Sequence, residues 1–282
     1  MRIQAPAAAR AIVYALLLPC AAHPVAAETP HHESLLITSP RLGEVRRINV
    51  YLPPDYDRCA ADRYDVLYMP DGGTAEDFPH VASAVDDLIR ASRIRPMIVV
   101  GLENTNRRRD MTGPTDDPED LKSTKEPGGS GKLRDFFRHE LQPIVNARYR
   151  TNDASAIIGE SFAGLFIVES MLRAPDLFDT YIALDPSLWW NKGRLTQEAA
   201  PLISAWPAGT KVRLQVASAG DGNIGEVEQF ASVLRDTPTP ALQWKYEPRP
   251  DLKHSTIYLG MERPVLQALF PLIRRTTCPT SS

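Results

Sequence analysis

Apolar and polar positions change period repeatedly along this chain. After a polar lead-in, Val45 to Leu52 alternates with the two-residue period of a strand, and Pro53-Pro54-Asp55-Tyr56 ends it. Asp65 to Met69 is a short apolar strand that runs into Pro70-Asp71-Gly72-Gly73, and Val81 to Arg93 has helical spacing. Met97 to Leu102 is continuously apolar, as expected of a strand covered on both faces. Residues 103–130 are polar and rich in Pro, Gly and charge, and a connection of that length in a compact domain carries function or disorder. Lys132 to Tyr149 then places Leu133, Phe136, Phe137, Leu141 and Ile144 on one helical stripe.

The second half repeats the alternation. A strand at Ala154–Ile158 leads into a helix over Phe162–Arg173, and strands follow at Tyr181–Leu184 and Val212–Ala217. A helix over about Glu226–Arg235, a strand at Leu242–Glu247 and a terminal helix over about Glu262–Arg274 complete the pattern. Strands alternating with helices predict an α/β fold, a mostly parallel sheet with helices on both faces. Working groups in such sheets gather at the carboxyl ends of the strands.

Composition narrows this further. The 282 residues are 43% apolar, enough for one core, so residues 28–282 are expected to form a single domain. The net charge is −3 and the largest basic cluster is Arg107-Arg108-Arg109, which argues against a nucleic-acid partner. No internal run of about 18 apolar residues points to integral membrane association. Residues 1–27 have the order of a secretory signal: Arg2 and Arg10, the apolar Ala11–Leu18, and Val25-Ala26-Ala27 as a cleavage site. A periplasmic or secreted product is expected, in which Cys59 and Cys278 can pair in one disulfide or remain free thiols. No metal-ligand spacing, phosphate-cradling loop or dinucleotide fingerprint is present, so no cofactor is expected.

The chemistry centres on Gly159-Glu160-Ser161-Phe162-Ala163-Gly164. A serine on a sharp strand-to-helix turn is pushed out of the backbone beside the positive end of a helix, and small residues must flank it because the chain bends back on both sides. Serine needs a base, and His254 is the histidine of six that follows Ser161, in a loop after the strand ending near Glu247. The acid is expected just past the strand Val212–Ala217, where Asp221 is nearest and Glu226 follows. An oxyanion needs preorganised donors: the N–H of Phe162 and one from Asp71-Gly72-Gly73, with Gly73 as the candidate. Trp189 and Trp190, after a strand end, offer faces for a flat aromatic or sugar. Arg107, in the long polar loop, offers a clamp for an anionic group, with a structural ion pair as the alternative.

These residues carry a resemblance. Val66-Leu67-Tyr68-Met69-Pro70-Asp71-Gly72, Asn104 through Asp110, Gly159 through Leu165, Asp185-Pro186-Ser187-Leu188-Trp189-Trp190 and His254-Ser255-Thr256 occur in the order found in the putative-esterase family of α/β-hydrolases. The likeness extends over roughly residues 35 to 273 and is nearest to the periplasmic branch similar to salmochelin-type siderophore esterases. Glu160 stands where that family often has histidine, and Ala163 where it usually has glycine. The resemblance implies an α/β-hydrolase fold and a serine esterase that needs no cofactor, acting on a small-molecule ester of a siderophore or an acylated sugar. An acyltransferase using the same acyl-enzyme, or a non-catalytic binding protein on the same fold, are the rival expectations.

Overall fold

The computed structural model describes residues 29–58 and 60–272. The expected leader ending at Ala27 and the cysteines Cys20, Cys59 and Cys278 lie outside those residues. β1 (His32–Ser39) and β2 (Glu44–Tyr51) form an antiparallel hairpin, and β2 continues antiparallel to β4 (Met97–Leu102). From β4 the sheet runs parallel through β3 (Tyr64–Met69), β5 (Thr151–Glu160), β6 (Thr180–Leu184), β7 (Val212–Ala219) and β8 (Leu242–Arg249). The order is β1-β2-β4-β3-β5-β6-β7-β8, so the chain reverses its direction of growth beside β3 and β5. A reversal of this kind opens a crevice at the carboxyl ends of the strands.

Alternate residues of the central strands feed two cores. On one face, Leu67, Met69, Val99, Ile158 and Ile182 pack under α1 (Phe78–Arg90) and α9 (His254–Leu269). On the other, Tyr68, Val100, Ile157, Tyr181 and Val216 pack under α4 (Ser130–Phe136), α6 (Phe162–Arg173) and α8 (Ile224–Asp236). β3, β4 and β6 are buried along their whole length, which is why they read as unbroken apolar runs rather than as alternations.

Several boundaries differ from the sequence pattern, each for a local reason. The helix expected as one piece over 132–149 is α4, a wide turn at Phe137–Leu141, and α5 (Gln142–Arg148). Pro143 has no N–H to return to the preceding turn, and the ladder widens there. The long polar connection contains two short helices, α2 (Arg107–Met111) and α3 (Pro118–Ser123). It is bolted down by the buried Arg46–Asp110 ion pair at 2.7 Å and by Trp190 Nε1, which donates to the Gly113 carbonyl at 3.0 Å. α7 (Trp190–Ser204) escaped notice because it opens on left-handed residues Asn191, Lys192 and Gly193. α9 begins at His254, eight positions before the expected helix start at Glu262, because Gly260 and Pro264 look like breakers yet lie inside it.

Candidate active site

Ser161 sits between β5 and α6 with φ 61° and ψ −118°, a conformation that a side chain other than glycine's rarely adopts. The turn is pinned on both sides: Ser161 N–H donates to the Leu184 carbonyl at 3.1 Å, and Ser187 N–H donates to the Ser161 carbonyl at 3.1 Å. The small flanking residues have a measurable cause. A Cβ on Gly159 would stand 2.6 Å from the Ala163 Cβ, and one on Gly164 would stand 3.0 Å from Pro186 Cα. Ala163 is tolerated where glycine is usual because its partner across the turn is Gly159. The Ser161 Oγ lies 3.3 Å from the buried Ser187 Oγ. Phe162 opens α6, and the first N–H groups of a helix have no partner within it.

His254 stands at the first position of α9, not in a loop, and its ring is half-exposed. Nδ1 lies 2.5 Å from Asp185 Oδ2. Asp185 is completely buried at the end of β6, and its other oxygen accepts the N–H groups of Ala219 and Asn223, each at 3.1 Å. These donors fix the orientation of the carboxylate. The space is tight, since a Cβ on Gly222 would fall 1.9 Å from Asp185 Oδ2.

The carboxylate that meets Nδ1 is thus Asp185, not either of the two expected past β7. Asp221 accepts the backbone N–H of His254 at 2.7 Å and caps α9 without touching the ring. Glu226 lies in the first turn of α8, the ordinary place for a helix acid. Asp185 directly follows β6, one strand earlier than the place expected for the acid. β6 lies between β5 and β7 in the sheet, so its end reaches both the serine turn and the start of α9.

On the other side of the ring, Nε2 lies 3.1 Å from Glu160 Oε1. This is an electrostatic approach rather than an aligned hydrogen bond, and Oε1 is buried with no aligned donor. Burial pushes the Glu160 carboxyl up to about 7, against the pull of His254 and Arg107. The hydrogen bond from Asp185 raises the His254 pKa; burial opposes this and Glu160 reinforces it.

The turn after β3 faces the same crevice. Gly73 N–H, the expected oxyanion donor, gives its proton to Glu76 Oε2 at 2.7 Å, so a carboxylate already occupies it. Arg107 is engaged as well: Nε and Nη2 grip Asp71 at 2.6 and 2.7 Å, and Nη2 reaches the Glu160 carbonyl at 3.4 Å. The ion-pair alternative describes these bonds, which tie the β3 turn to the serine turn. The guanidinium also lies 5.6 Å from the Phe162 ring centroid, with that of Arg108 at 5.8 Å. The two tryptophans divide. Trp190 is 4% exposed and packs in the core, whereas Trp189 is 38% exposed and meets Phe162 edge-on at 5.7 Å. A ligand can therefore reach Trp189 but not the buried Trp190. Among the described residues no group of three or more His, Cys, Asp or Glu is arranged to hold a metal, and no helix is long and apolar enough to cross a membrane.

A mostly parallel sheet with a strained serine after its fifth strand, served by groups from the ends of the neighbouring strands, is the α/β-hydrolase fold. Solved structures share it. An IroE-like serine hydrolase from Shewanella oneidensis superposes with a TM-score of 0.77 at 26% identity, over 85% of this chain and 80% of that one. The siderophore hydrolase EstB from Aspergillus nidulans gives 0.72 at 20% identity, over 88% and 98% of the two chains. The sequence profile of the family described as Putative esterase matches residues 39–225, and the chain belongs to that family. Among curated proteins, the iron(III) salmochelin esterase of Escherichia coli O6:H1 is 26% identical over 71% of this chain and 49% of its own length. The ferri-bacillibactin esterase BesA of Bacillus subtilis is 30% identical over 50% of this chain and 54% of its own. The chain spans about half the length of the curated relatives it matches.

Proposed function

We propose that this protein is a serine carboxylester hydrolase that cleaves the ester linkages of a siderophore, in the periplasm or outside the cell. The observation that carries the reading is the strained Ser161 turn beside a histidine whose Nδ1 rests on a fully buried carboxylate. Ser161 is the nucleophile and His254 the base, with Asp185 in place of Asp221 or Glu226 as the acid that fixes the ring tautomer and stabilises the imidazolium. Ser161 attacks the ester carbonyl, His254 takes its proton and passes it to the leaving alcohol, and water then clears the acyl-enzyme. The oxyanion is received by Phe162 N–H and by Gly73 N–H once the Glu76 carboxylate releases it.

The substrate class is supported by the relatives, which are esterases of ferric siderophores by name, and by the surface beside Ser161. Phe162 and Trp189 present aromatic faces with Arg107 and Arg108 over one of them, a setting for a flat, anionic aromatic group. The test is fluorophosphonate labelling followed by mass spectrometry, with Ser161→Ala alongside and hydrolysis of short p-nitrophenyl esters and a ferric siderophore triester as readouts. One adduct at Ser161, lost with turnover in the variant, is expected. A folded protein that takes no adduct and turns over no ester overturns the reading.

A further inference from the structure

Glu160 immediately precedes the serine, is largely buried, and aims Oε1 at the ring nitrogen that must receive the serine proton. Ser161 Oγ meanwhile has Ser187 Oγ as its neighbour at 3.3 Å. The base is thus held between two carboxylates, Asp185 on Nδ1 and Glu160 on Nε2. We propose that Glu160 is a positioning residue whose carboxylate attracts the protonated His254 Nε2 in the resting site and thereby holds the ring off Ser161 until that proton leaves.

The inference rests on the Ser161–His254 reading and deepens it. An imidazole with Nδ1–H on Asp185 has one lone pair, at Nε2. While Nε2 carries a second ring proton that lone pair is engaged, and the Glu160 carboxylate 3.1 Å away stabilises the charged ring. Once the proton passes to solvent, Nε2 is free to take the Ser161 proton as the Oγ–carbonyl bond forms. Glu160 cannot give up the charged ring cheaply, because Oε1 is buried with no aligned donor and a lone buried carboxylate is costly. The surrounding charges are Asp185 at the end of β6, Asp221 after β7, Arg107 on α2 and Asp77 before α1. Burial, with Asp77 and Asp185, raises the Glu160 carboxyl to about 7 against the pull of His254 and Arg107, and Asp185 and Asp221 favour the charged ring. A histidine, the residue usual in the family at this position, could not supply this anion.

The decisive experiment is the pH profile of kcat/KM for wild type, Glu160→Gln and Glu160→Asp, each labelled in parallel with fluorophosphonate. Glu160→Gln is expected to lower the acid-limb midpoint by about one pH unit, raising kcat/KM below the limb about tenfold. Glu160→Asp keeps the charge and should fall nearer wild type. An unchanged midpoint in Glu160→Gln, with normal labelling of Ser161, overturns the role of Glu160 and leaves the nucleophile intact. Wild type that is neither labelled nor active breaks the underlying reading instead. Should Glu160→Gln fail to fold, nitrogen-15 spectra of the wild-type histidines decide, with His254 assigned by its absence in His254→Ala. A His254 titration centred above the ordinary range supports the hold by Glu160, and one centred at the ordinary value overturns it.

Discussion

Two histidines of this chain are each held between two carboxylates, and one of them lies beside a strained serine. His80, on α1, meets Glu262 of α9 through Nδ1 at 2.7 Å and Asp77 through Nε2 at 3.3 Å, with the Tyr258 ring edge-on at 4.9 Å. Burial alone would lower its pKa, but the two carboxylates outweigh burial and raise it to about 9. His80 is therefore a standing cation that latches α1 to α9. His254, two helical turns before Glu262 on the same helix, has one partner that cannot move and one that can lose its charge. Asp185 is fixed by two backbone N–H groups, while Glu160 is pushed toward its neutral form. Residue types and net charges are nearly the same at the two places. On the proposed mechanism, a latch becomes a base where the backbone places a serine beside the ring and leaves one ring nitrogen negotiable.

The sharpest way to break this comparison is Asp185→Asn. It should lower kcat by a hundredfold or more (on the order of the loss when a triad acid is neutralised) with a normal circular-dichroism spectrum. Asp221→Asn should leave kcat within about threefold, because that carboxylate touches only a backbone N–H. Equal losses in the two variants would contradict the assignment of the acid. The next effect is on pH. His254 must be neutral to act, and its pKa is raised, so kcat/KM should fall about tenfold per unit of pH below a midpoint above the ordinary 6.5. A profile measured from pH 5 to 9.5 with its midpoint at or below the ordinary value would remove the second carboxylate from the account.

His80→Gln tests the latch. It should cost about 1–3 kcal/mol in denaturant unfolding at pH 7 and leave kcat within about twofold, the reverse of what is expected of His254 variants. The sign with pH follows from a folded pKa raised above 6.5. The charge-pair contribution is complete below about pH 6.5 and is lost as pH rises through about 9, so the gap between wild type and variant should close by pH 10. The smallest expected effect is Asp221→Ala, which removes an anion from the start of α9 and should cost about 0.5–1 kcal/mol in thermal unfolding.

Most of the sheet was legible because its strands are short apolar runs bounded by Pro, Gly and Asp. α6 was read to the residue because the serine turn marks its start and Pro175 lies just past its end. β1 and α7 were missed, the first as a half-exposed edge strand and the second behind its left-handed opening. At the site, Ser161 and its small neighbours are a local motif, and His254 follows from chain order. The carboxylate on Nδ1 differs from the two expected because chain order says which carboxylates come between serine and histidine, and nothing of which one the sheet carries to the ring. The occupied state of Gly73 N–H and the divided fate of the two tryptophans were equally invisible, since each depends on a partner distant in space or on a side-chain rotamer.

By itself the sequence determined the α/β alternation, the serine turn and the histidine that follows it, because these are written in spacing along the chain and in the small residues a tight turn requires. The tertiary structure alone decided that Asp185 faces the ring, that Glu160 stands on its other side, and that Arg107 is already bound to Asp71. The physical reason is that strand order in the sheet, rather than order in the chain, sets which charges meet. In a buried site those meetings decide which groups carry a proton.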